Sequence, residues 1–368
     1  MKGLVYYNKE DLRYEDIPKP VIKKGDDVLI KVHYAGICGS EYARIIGDMP
    51  VPPEIPVPHG HEFSGIVEAV GEDVTSVKPG DRVACAPRTV CGVCDDCLNN
   101  RVGQCRNGKG FIGVQIAGGW AEYCLLDEIN VVKLPDGTPT YQGAFLEPLT
   151  VAVHGVQMGE YVRGKTVAIV GCGTIGALTL QVAKHYGAAK LTAFDIGKER
   201  LELAKELGAD YAVSTAGDWE KEALEITDGK MYDYVFETGG VPFTEKASIP
   251  LTTPHGTLVY IGTPFTDIHF LPFEFEQINV KEIWIRGSWQ SYSTPFPGGE
   301  WPESAELLHS GEVKVDDLID RIIPMEDIFN ALEDAREKKI HGKVMLRIAE
   351  DADPLPPKLK ALEMTGRR

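Results

Sequence analysis

The feature that most restricts the fold is a glycine-rich hexapeptide, GCGTIG, at residues 171–176. It lies between a short apolar run, TVAIV at 166–170, and a stretch of helical periodicity that begins near Ile175. The spacing G-x-G-x-x-G between a strand and a helix is typical of a turn that holds the pyrophosphate of a dinucleotide. Glycines let the backbone approach the phosphates, and the helix N-terminus favours their negative charge. The alternative interpretation is a glycine-rich turn without a ligand.

Further apolar runs extend this pattern towards the C-terminus. KLTAF at 190–194, YVF at 234–236 and TLVYI at 257–261 are typical of strands, and they alternate with helical stretches at 175–186 and 198–207. Such alternation predicts a parallel sheet covered by helices. We therefore predict an α/β fold class.

The cofactor type is indicated by Asp195, 24 positions after Gly171, at the end of the second predicted strand. A carboxylate at that place accepts the ribose hydroxyls and repels a 2′-phosphate, so NAD is predicted rather than NADP. The predicted cofactor-binding set is Gly171, Gly173, Thr174, Ile175, Gly176, Asp195 and Arg200.

Four of the eight cysteines fall within CGVCDDCLNNRVGQC at residues 91–105. A chain of 368 residues has enough core to fold without disulfides, and no cleavable signal or long apolar run is evident. In a reducing compartment, the spacing C-x2-C-x2-C-x7-C predicts a closed zinc site that stabilises a loop and does no chemistry. Disulfides and free thiols are the alternatives. The predicted ligands are Cys91, Cys94, Cys97 and Cys105.

Residues before about 150 form short apolar runs between glycines and prolines, which predicts β structure with many turns. This region also holds side chains suited to a second metal: Cys38, His61, Glu62 and Glu147. An open zinc site acidifies a bound alcohol, so that a hydride can leave towards nicotinamide. Ser40 is placed to accept the alcohol proton. Taken one at a time, these residues also have structural interpretations. The cysteine could belong to the core, the histidine could be a hydrogen-bonded structural residue, the glutamate could be a surface carboxylate and the serine could belong to a turn.

With these residues in place, the chain resembles the zinc-dependent medium-chain dehydrogenases over residues 1–348. The resemblance rests on GHEFSGIVEAVG at 60–71, the four-cysteine segment, GGWAEY at 118–123 and GCGTIG, in that order. It implies a GroES-like β-rich catalytic domain at 1–155 and 296–348, a Rossmann doubly wound domain at 156–295, and a homodimer or homotetramer. The strand-like KVMLRI at 343–348 is a candidate to return to the first domain.

Two stretches place the chain within that family. Glu147 stands where alcohol dehydrogenases have a cysteine ligand, which resembles the polyol, or sorbitol-type, branch. GSWQSYSTPFPGGEW at 287–301 is similar to the galactitol-1-phosphate 5-dehydrogenases. That resemblance implies a catalytic zinc on Cys38, His61, Glu62 and Glu147, hence two Zn²⁺ per chain, and a polyol or polyol phosphate substrate. The chain departs from many relatives in having Glu41 and Ala43 where an aspartate and the last histidine of the proton relay stand.

A phosphorylated substrate would need a cationic group, because the net charge is −17, from 38 basic and 55 acidic residues. Arg44, close after the CGSE segment, and Lys109 are the candidates, and both are also compatible with ordinary surface charges. The acidic balance and the lack of a dense basic run argue against nucleic-acid binding. Neither a nucleic acid nor a membrane is expected as a partner, and a cytoplasmic location is expected.

Three other functions remain open from the residues alone: a dehydrogenase of free polyols, a threonine 3-dehydrogenase, and a zinc-stabilised NAD-sensing protein without catalysis. The joint presence of the candidate zinc ligands and Ser40 favours an enzyme, since a sensor needs no open metal. The tail at 349–368 contains DADPLPP, which is typical of an extended linker with a frayed end; a disordered segment and an oligomer contact are the alternatives, and the sequence does not decide among them.

Overall fold

The computed structural model describes residues 1–52 and 54–363. These residues form two compact units. The first contains Met1–Glu147, Tyr292–Gly311 and the described residues from Val315 onward, and the second contains Pro148–Ser291 and Glu312–Lys314. No helix in the described ranges is long and apolar enough to span a membrane.

The secondary structure consists mainly of short strands before residue 134 and of alternating strands and helices from residue 166. The strands are β1 (Lys2–Asn8), β2 (Asp11–Asp16), β3 (Asp27–Gly36), β4 (Val57–Pro58), β5 (Phe63–Val70), β6 (Arg82–Cys85), β7 (Tyr123–Asp127), β8 (Val131–Lys133), β9 (Thr166–Val170), β10 (Lys190–Asp195), β11 (Tyr211–Ser214), β12 (Tyr232–Glu237), β13 (Thr252–Tyr260), β14 (Trp284–Gly287), β15 (Ile319–Pro324) and β16 (Lys343–Arg347). The helices are α1 (Gly39–Ile45), α2 (Asp95–Leu98), α3 (Thr140–Gly143), α4 (Leu146–Met158), α5 (Thr174–His185), α6 (Lys198–Glu206), α7 (Trp219–Ile226), α8 (Pro242–Leu251), α9 (Pro272–Lys281), α10 (Glu300–Ser310), α11 (Ile328–Arg336) and α12 (Pro357–Lys360).

The first unit is built on a seven-stranded sheet with the order β15-β16-β3-β5-β6-β8, in which β7 also pairs with β3. A smaller sheet has the order β2-β1-β4. The alternating Val28, Ile30 and Val32 of β3 are fully buried in the core of this unit. Because β16 pairs antiparallel with β3, a strand from the C-terminal segment completes a sheet that the N-terminal segment begins.

The second unit has a six-stranded sheet in which every pairing is parallel, in the order β11-β10-β9-β12-β13-β14. Counted from β9, this is the 3-2-1-4-5-6 order of a doubly wound dinucleotide-binding fold. The strand order reverses between β9 and β12, and ligands of such folds bind beyond the carboxyl ends of the strands at that point. The predicted Rossmann sheet is therefore confirmed, and GCGTIG follows β9 at this point of reversal.

The tail, whose state the sequence left open, is packed against the first unit over residues 349–363. Asp353 accepts hydrogen bonds from Arg82 Nη2 at 2.7 Å and from the Thr140 amide at 2.8 Å, and its carbonyl accepts one from the Tyr34 hydroxyl at 2.9 Å. Leu359 is fully buried. Residues 364–368 of the predicted tail lie outside the described residues. The domain boundaries at 155, 156, 295 and 296 remain proposals.

We expect Asp353→Ala to lower the free energy of unfolding by about 1–3 kcal/mol, because it leaves Arg82 and the Thr140 amide without their acceptor. Denaturant unfolding measures this change. Asp351→Ala is the matched control, since Asp351 forms an exposed pair with Lys31 and its loss should change little. Equal effects of the two substitutions would show that the tail does not stabilise the first unit through Asp353.

Candidate active site and metal centres

The four cysteines of the 91–105 segment have the geometry of a tetrahedral thiolate site. The Sγ–Sγ distances are 4.0 Å for Cys91–Cys97, 3.6 Å for Cys94–Cys97, 3.9 Å for Cys94–Cys105 and 3.6 Å for Cys91–Cys105. A regular tetrahedron with zinc–sulfur bonds of about 2.3 Å places its sulfurs about 3.8 Å apart. A disulfide requires about 2.0 Å, and all eight cysteines are free. The donor set therefore fits a zinc ion.

The charges of these sulfurs also favour a bound cation. The backbone N–H of Cys97 and other donors lower the pKa of the Cys94 thiol to about 6. Burial and the neighbouring Cys94 raise the pKa of the Cys97 thiol to about 12. Four sulfurs this close cannot all ionise without a positive charge between them. A metal would supply that charge.

The second predicted metal set is assembled from the start of α1 and the segment before β5. Ligand atoms of Cys38, His61 and Glu62 lie within 4.8 Å of one another. Cys38 is the N-cap of α1, and His61 and Glu62 immediately precede β5. Thiolate, imidazole and carboxylate are the donors that zinc uses in catalytic sites, so these three side chains fit the ion. Glu147 is not a member of this group.

Glu147 nevertheless lies close enough to the group to interact electrostatically with it. Burial raises the pKa of its carboxyl to about 7, His61 opposes this rise and Glu62 adds to it. Glu147 lies in the first turn of α4, and Ser40 lies in the first turn of α1, next to Cys38. The structure therefore places Glu147 close to the other predicted ligands, although it does not belong to the group of three whose ligand atoms lie within 4.8 Å of one another.

Glu41 is a residue whose role sequence reasoning missed. Its side chain is fully buried, Oε2 accepts a hydrogen bond from the Cys38 amide at 2.7 Å, and Oε1 lies 2.8 Å from His61 Nδ1. Burial lowers the pKa of His61, but the Glu41 carboxylate outweighs burial and the pKa is raised well above its ordinary value. A carboxylate on Nδ1 fixes the orientation of an imidazole and leaves Nε2 for a metal. Only the unusual glutamate after CGS signalled this residue in the sequence.

Lys343 was also missed, because it belongs to a strand far along the chain. Its Nζ lies 2.7 and 2.6 Å from the two carboxylate oxygens of Glu62 and 3.4 Å from the Ile37 carbonyl. Both side chains are buried. Burial lowers the pKa of Lys343, but Glu62 outweighs it, so the pKa is raised. To bind zinc, Glu62 must either share one oxygen between the metal and the Lys343 ammonium or move away from Lys343.

The two candidate phosphate-binding residues differ in their surroundings. Arg44, in the last turn of α1, is partly buried, and its Nε and Nη1 have no hydrogen-bond partner among the described residues. Burial lowers its pKa, and the nearby Glu41 and Cys38 oppose this. Lys109 has 70% of its side chain exposed, with Nζ 3.9 Å from an Asp127 oxygen. Of the two, Arg44 is therefore the residue with buried N–H groups that lack a hydrogen-bond acceptor among the described residues.

The GCGTIG turn has the backbone geometry of a dinucleotide cradle. Gly171 has φ +92°, which favours glycine. A Cβ on Gly176 would lie 1.9 Å from the Gly171 carbonyl oxygen, so this glycine permits the helix to pack on the turn. A Cβ on Gly173, the N-cap of α5, would meet no atom within 4 Å. The Cβ position of Gly173 therefore faces open space.

Asp195 ends β10 and is oriented by three donors. Oδ2 accepts the Cys172 amide at 2.7 Å, and Oδ1 accepts the Gly197 amide at 2.7 Å. Oδ1 also accepts Arg200 Nε at 2.9 Å. Arg200 therefore orients the carboxylate, and Oδ2, which accepts one hydrogen bond, has remaining capacity for a ribose hydroxyl.

The comparisons with known proteins agree with this geometry. Residues 24–136 match the alcohol dehydrogenase GroES-like domain, and residues 174–310 match the zinc-binding dehydrogenase family. The chain is 36% identical over 350 residues to galactitol 1-phosphate 5-dehydrogenase of Escherichia coli K12, covering 94% of this chain and 99% of that protein. This chain belongs to the zinc-dependent medium-chain dehydrogenases. The predicted family, the GroES-like fold, an oxidoreductase acting on CH–OH groups, and the cofactors zinc and a nicotinamide nucleotide are thereby confirmed.

Other relatives and solved structures resemble this chain over most of its length. D-arabitol-phosphate dehydrogenase of Enterococcus avium is 38% identical over 85% of this chain and 87% of that protein. The crystal structure of E. coli galactitol-1-phosphate dehydrogenase has a TM-score of 0.89 at 35% identity, covering 94% of this chain and all of that one. A zinc-binding dehydrogenase from Sinorhizobium meliloti, solved with NADP, has a TM-score of 0.82 at 31% identity, covering 94% and 98%.

We predict that the two metal sets load independently. Elemental analysis should find two zincs per wild-type chain and one in each of the variants Cys94→Ser and Cys38→Ser. Because the four-thiolate site is closed, the loss of Cys94 should lower the melting temperature, whereas the loss of Cys38 should abolish activity with little change in stability. One zinc or fewer in the wild type, or an inactive Cys94→Ser protein of unchanged stability, would reverse these roles.

We expect Lys343→Met to lower the free energy of unfolding by about 3–5 kcal/mol, because Glu62 remains buried without its partner. The double variant Lys343→Met/Glu62→Met should recover most of this loss, since two apolar side chains leave no buried charge. Denaturant unfolding of chelator-treated protein measures both variants. Lys2→Met is the control, because Lys2 and Asp16 form an exposed pair. A single Lys343 variant as stable as this control would contradict the prediction.

Proposed function

We propose that this dehydrogenase oxidises a secondary alcohol of a polyol phosphate, of the galactitol 1-phosphate type, to the ketose phosphate. NAD accepts the hydride and a proton is released, so the balance is alcohol plus NAD⁺ to ketone, NADH and H⁺. The observation that supports a phosphorylated substrate is the environment of Arg44. A partly buried guanidinium without a hydrogen-bond partner among the described residues is unfavourable unless an anion completes it. The similarity to two dehydrogenases of phosphorylated polyols supports the same substrate class.

The chain's own residues suit this chemistry. Cys38, His61, Glu62 and Glu147 are the proposed ligands of a catalytic zinc, which would acidify the bound alcohol. Ser40 is proposed to take the alcohol proton, and Glu41 to hold His61 in its ligating orientation. The second zinc is proposed to bind the four cysteines of the 91–105 segment and to stabilise that segment. The reaction is proposed to occur in the cytoplasm, where these thiols remain reduced.

NAD is proposed in preference to NADP, although one similar structure contains NADP. Support comes from Asp195, which ends β10 and accepts the Cys172 and Gly197 amides. In dinucleotide-binding folds a carboxylate at that position binds the adenosine ribose. A carboxylate fixed in this way accepts ribose hydroxyls and repels a 2′-phosphate.

A second copy of this chain is the proposed partner, in a homodimer or homotetramer. β14 is an edge strand of the parallel sheet, and its Trp284 is 64% exposed. The neighbouring α9 has no buried residue, and Phe273 and Phe275 are exposed on it. An exposed apolar edge strand has unpaired backbone groups that favour association with another chain. A second, symmetric copy of this chain would cover the strand.

The substrate proposal is tested by measuring the oxidation rates of galactitol 1-phosphate and of galactitol. The absorbance of NADH reports both rates. The kcat/KM for the phosphate should exceed that for the free polyol by far more than tenfold, which corresponds to about 1.4 kcal/mol. Arg44→Ala should reduce that ratio, and Lys109→Ala, the exposed control, should leave it unchanged. Equal constants for the two substrates would make this a dehydrogenase of free polyols.

The test of cofactor choice is the variant Asp195→Ala. It should lower the ratio of kcat/KM for NAD to that for NADP, because the ribose loses a charged acceptor worth about 1.5–3 kcal/mol and Arg200 becomes available to a 2′-phosphate. Glu199→Ala, a neighbouring carboxylate in the first turn of α6, is the control. A wild-type protein that already prefers NADP would contradict this proposal.

A further inference from the structure

A buried carboxylate at the end of β12 is not used by any role described above. Glu237 is fully buried, and it ends β12 opposite Val170 of β9 and Tyr260 of β13. It therefore lies at the carboxyl edge of the sheet, where the strand order reverses. Burying a charge there costs free energy unless donors compensate it, so its hydrogen bonds indicate what it holds in place.

The Glu237 side chain binds the backbone of the turn that follows it. Oε1 accepts hydrogen bonds from the amides of Gly239 and Gly240, both at 2.8 Å. Gly240 has φ +60°, and a Cβ there would lie 2.7 Å from the Thr263 carbonyl oxygen. A Cβ on Gly262 would lie 2.5 Å from Glu237 Oε2. The Thr238–Gly240 turn is thus fixed between Glu237 and the segment after β13.

The opposite side of this turn contacts the first glycine of the dinucleotide motif. The Thr238 hydroxyl donates to the Gly171 carbonyl at 2.6 Å, and the Thr238 amide donates to the Val170 carbonyl at 2.9 Å. A Cβ on Gly171 would lie 2.8 Å from the Gly239 nitrogen. A shift of the Thr238–Gly240 turn would therefore displace Gly171 and the backbone that receives the pyrophosphate.

We propose that Glu237 is a positioning residue for the cofactor: its carboxylate fixes the Thr238–Gly240 turn, and through it the glycine turn that binds NAD. Glu237 is too deeply buried to contact the cofactor, so it acts only through the backbone. The inference rests on the proposed use of NAD at this site. It predicts an effect on cofactor affinity and on the local stability of one turn, and not on the chemical step.

Two substitutions separate the acceptor from the bulk of the side chain. Glu237→Met keeps the length and removes both oxygens, and it should weaken NAD binding about tenfold or more in calorimetric titration. Glu237→Gln keeps an oxygen acceptor for the two amides and should bind NAD within about threefold of the wild type. The kcat at saturating NAD should be unchanged in both, within about twofold.

Hydrogen exchange on the cofactor-free protein gives a second readout. Peptides that contain Gly239 and Gly240 should exchange faster in Glu237→Met than in Glu237→Gln, because their amides lose the acceptor. Glu245→Gln is the control, since Glu245 is a nearby buried carboxylate whose side chain makes no hydrogen bond to this turn among the described residues. It should leave both exchange and affinity unchanged.

The outcomes are distinguishable from a failure of the proposed function. If the wild type binds no NAD, the proposed function is wrong. Hydrogen exchange at Gly239 and Gly240 then still tests whether Glu237 stabilises the Thr238–Gly240 turn. If the wild type binds NAD and Glu237→Met binds it equally well, or exchanges normally at the turn, the inference is wrong. Should Glu237→Met not fold, Glu237→Asp replaces it, because the shorter carboxylate withdraws from the two amides. Normal affinity in Glu237→Asp would equally overturn the inference.

Discussion

The buried ion pair between Lys343 and Glu62 connects the last strand of the sheet to the proposed catalytic zinc site. Lys343 begins β16, which pairs with β3, while Glu62 immediately precedes β5 on the other side of β3. Both carboxylate oxygens of Glu62 contact the ammonium, and neither side chain has appreciable access to water. Because an unpaired buried charge is very unfavourable, residues near 343 must return to the N-terminal segment for the site to form. The first unit therefore contains segments from both ends of the chain.

The charged side chains around this ion pair carry an excess of negative charge, which favours the binding of a metal cation. Cys38, Glu41, Glu62 and Glu147 contribute up to four negative charges, whereas Lys343, His61 and the nearby Arg44 contribute at most three positive charges. Without a cation the imbalance is relieved by protonation, and the pKa of Glu147 is raised to about 7, by burial first and by Glu62. A divalent ion removes the excess without protonation. Glu41 contacts Nδ1 of His61, and Lys343 contacts both carboxylate oxygens of Glu62, so each residue orients one proposed ligand and partly balances its charge.

How much was predictable from the sequence depends on whether a feature is local. The glycine turn and the four cysteines depend on short spacings, so the Rossmann sheet and the proximity of the four cysteine sulfurs could be predicted. Lys343 could not, because its contact with Glu62 joins residues 281 positions apart, and nothing in KVMLRI marks a functional lysine. The sequence left the packing of the tail undecided for the same reason: DADPLPP has the composition of a linker, and only the fold brings Arg82 and Thr140 to Asp353.

The proposed substrate class follows from one short helix. α1 has seven residues, with Cys38 as its N-cap, Ser40 and Glu41 in its first turn, and Arg44 in its last. At 1.5 Å per residue, Arg44 lies about 9 Å along the helix axis from Cys38. The helix therefore fixes the spacing of the backbone positions that carry a proposed zinc ligand, the proposed proton acceptor and the Arg44 guanidinium, which has no hydrogen-bond partner among the described residues. A substrate that engages all three extends from the zinc ligand to the guanidinium, so we expect its phosphate at the end away from the oxidised hydroxyl. A polyol 1-phosphate oxidised at its fifth carbon is compatible with that expectation.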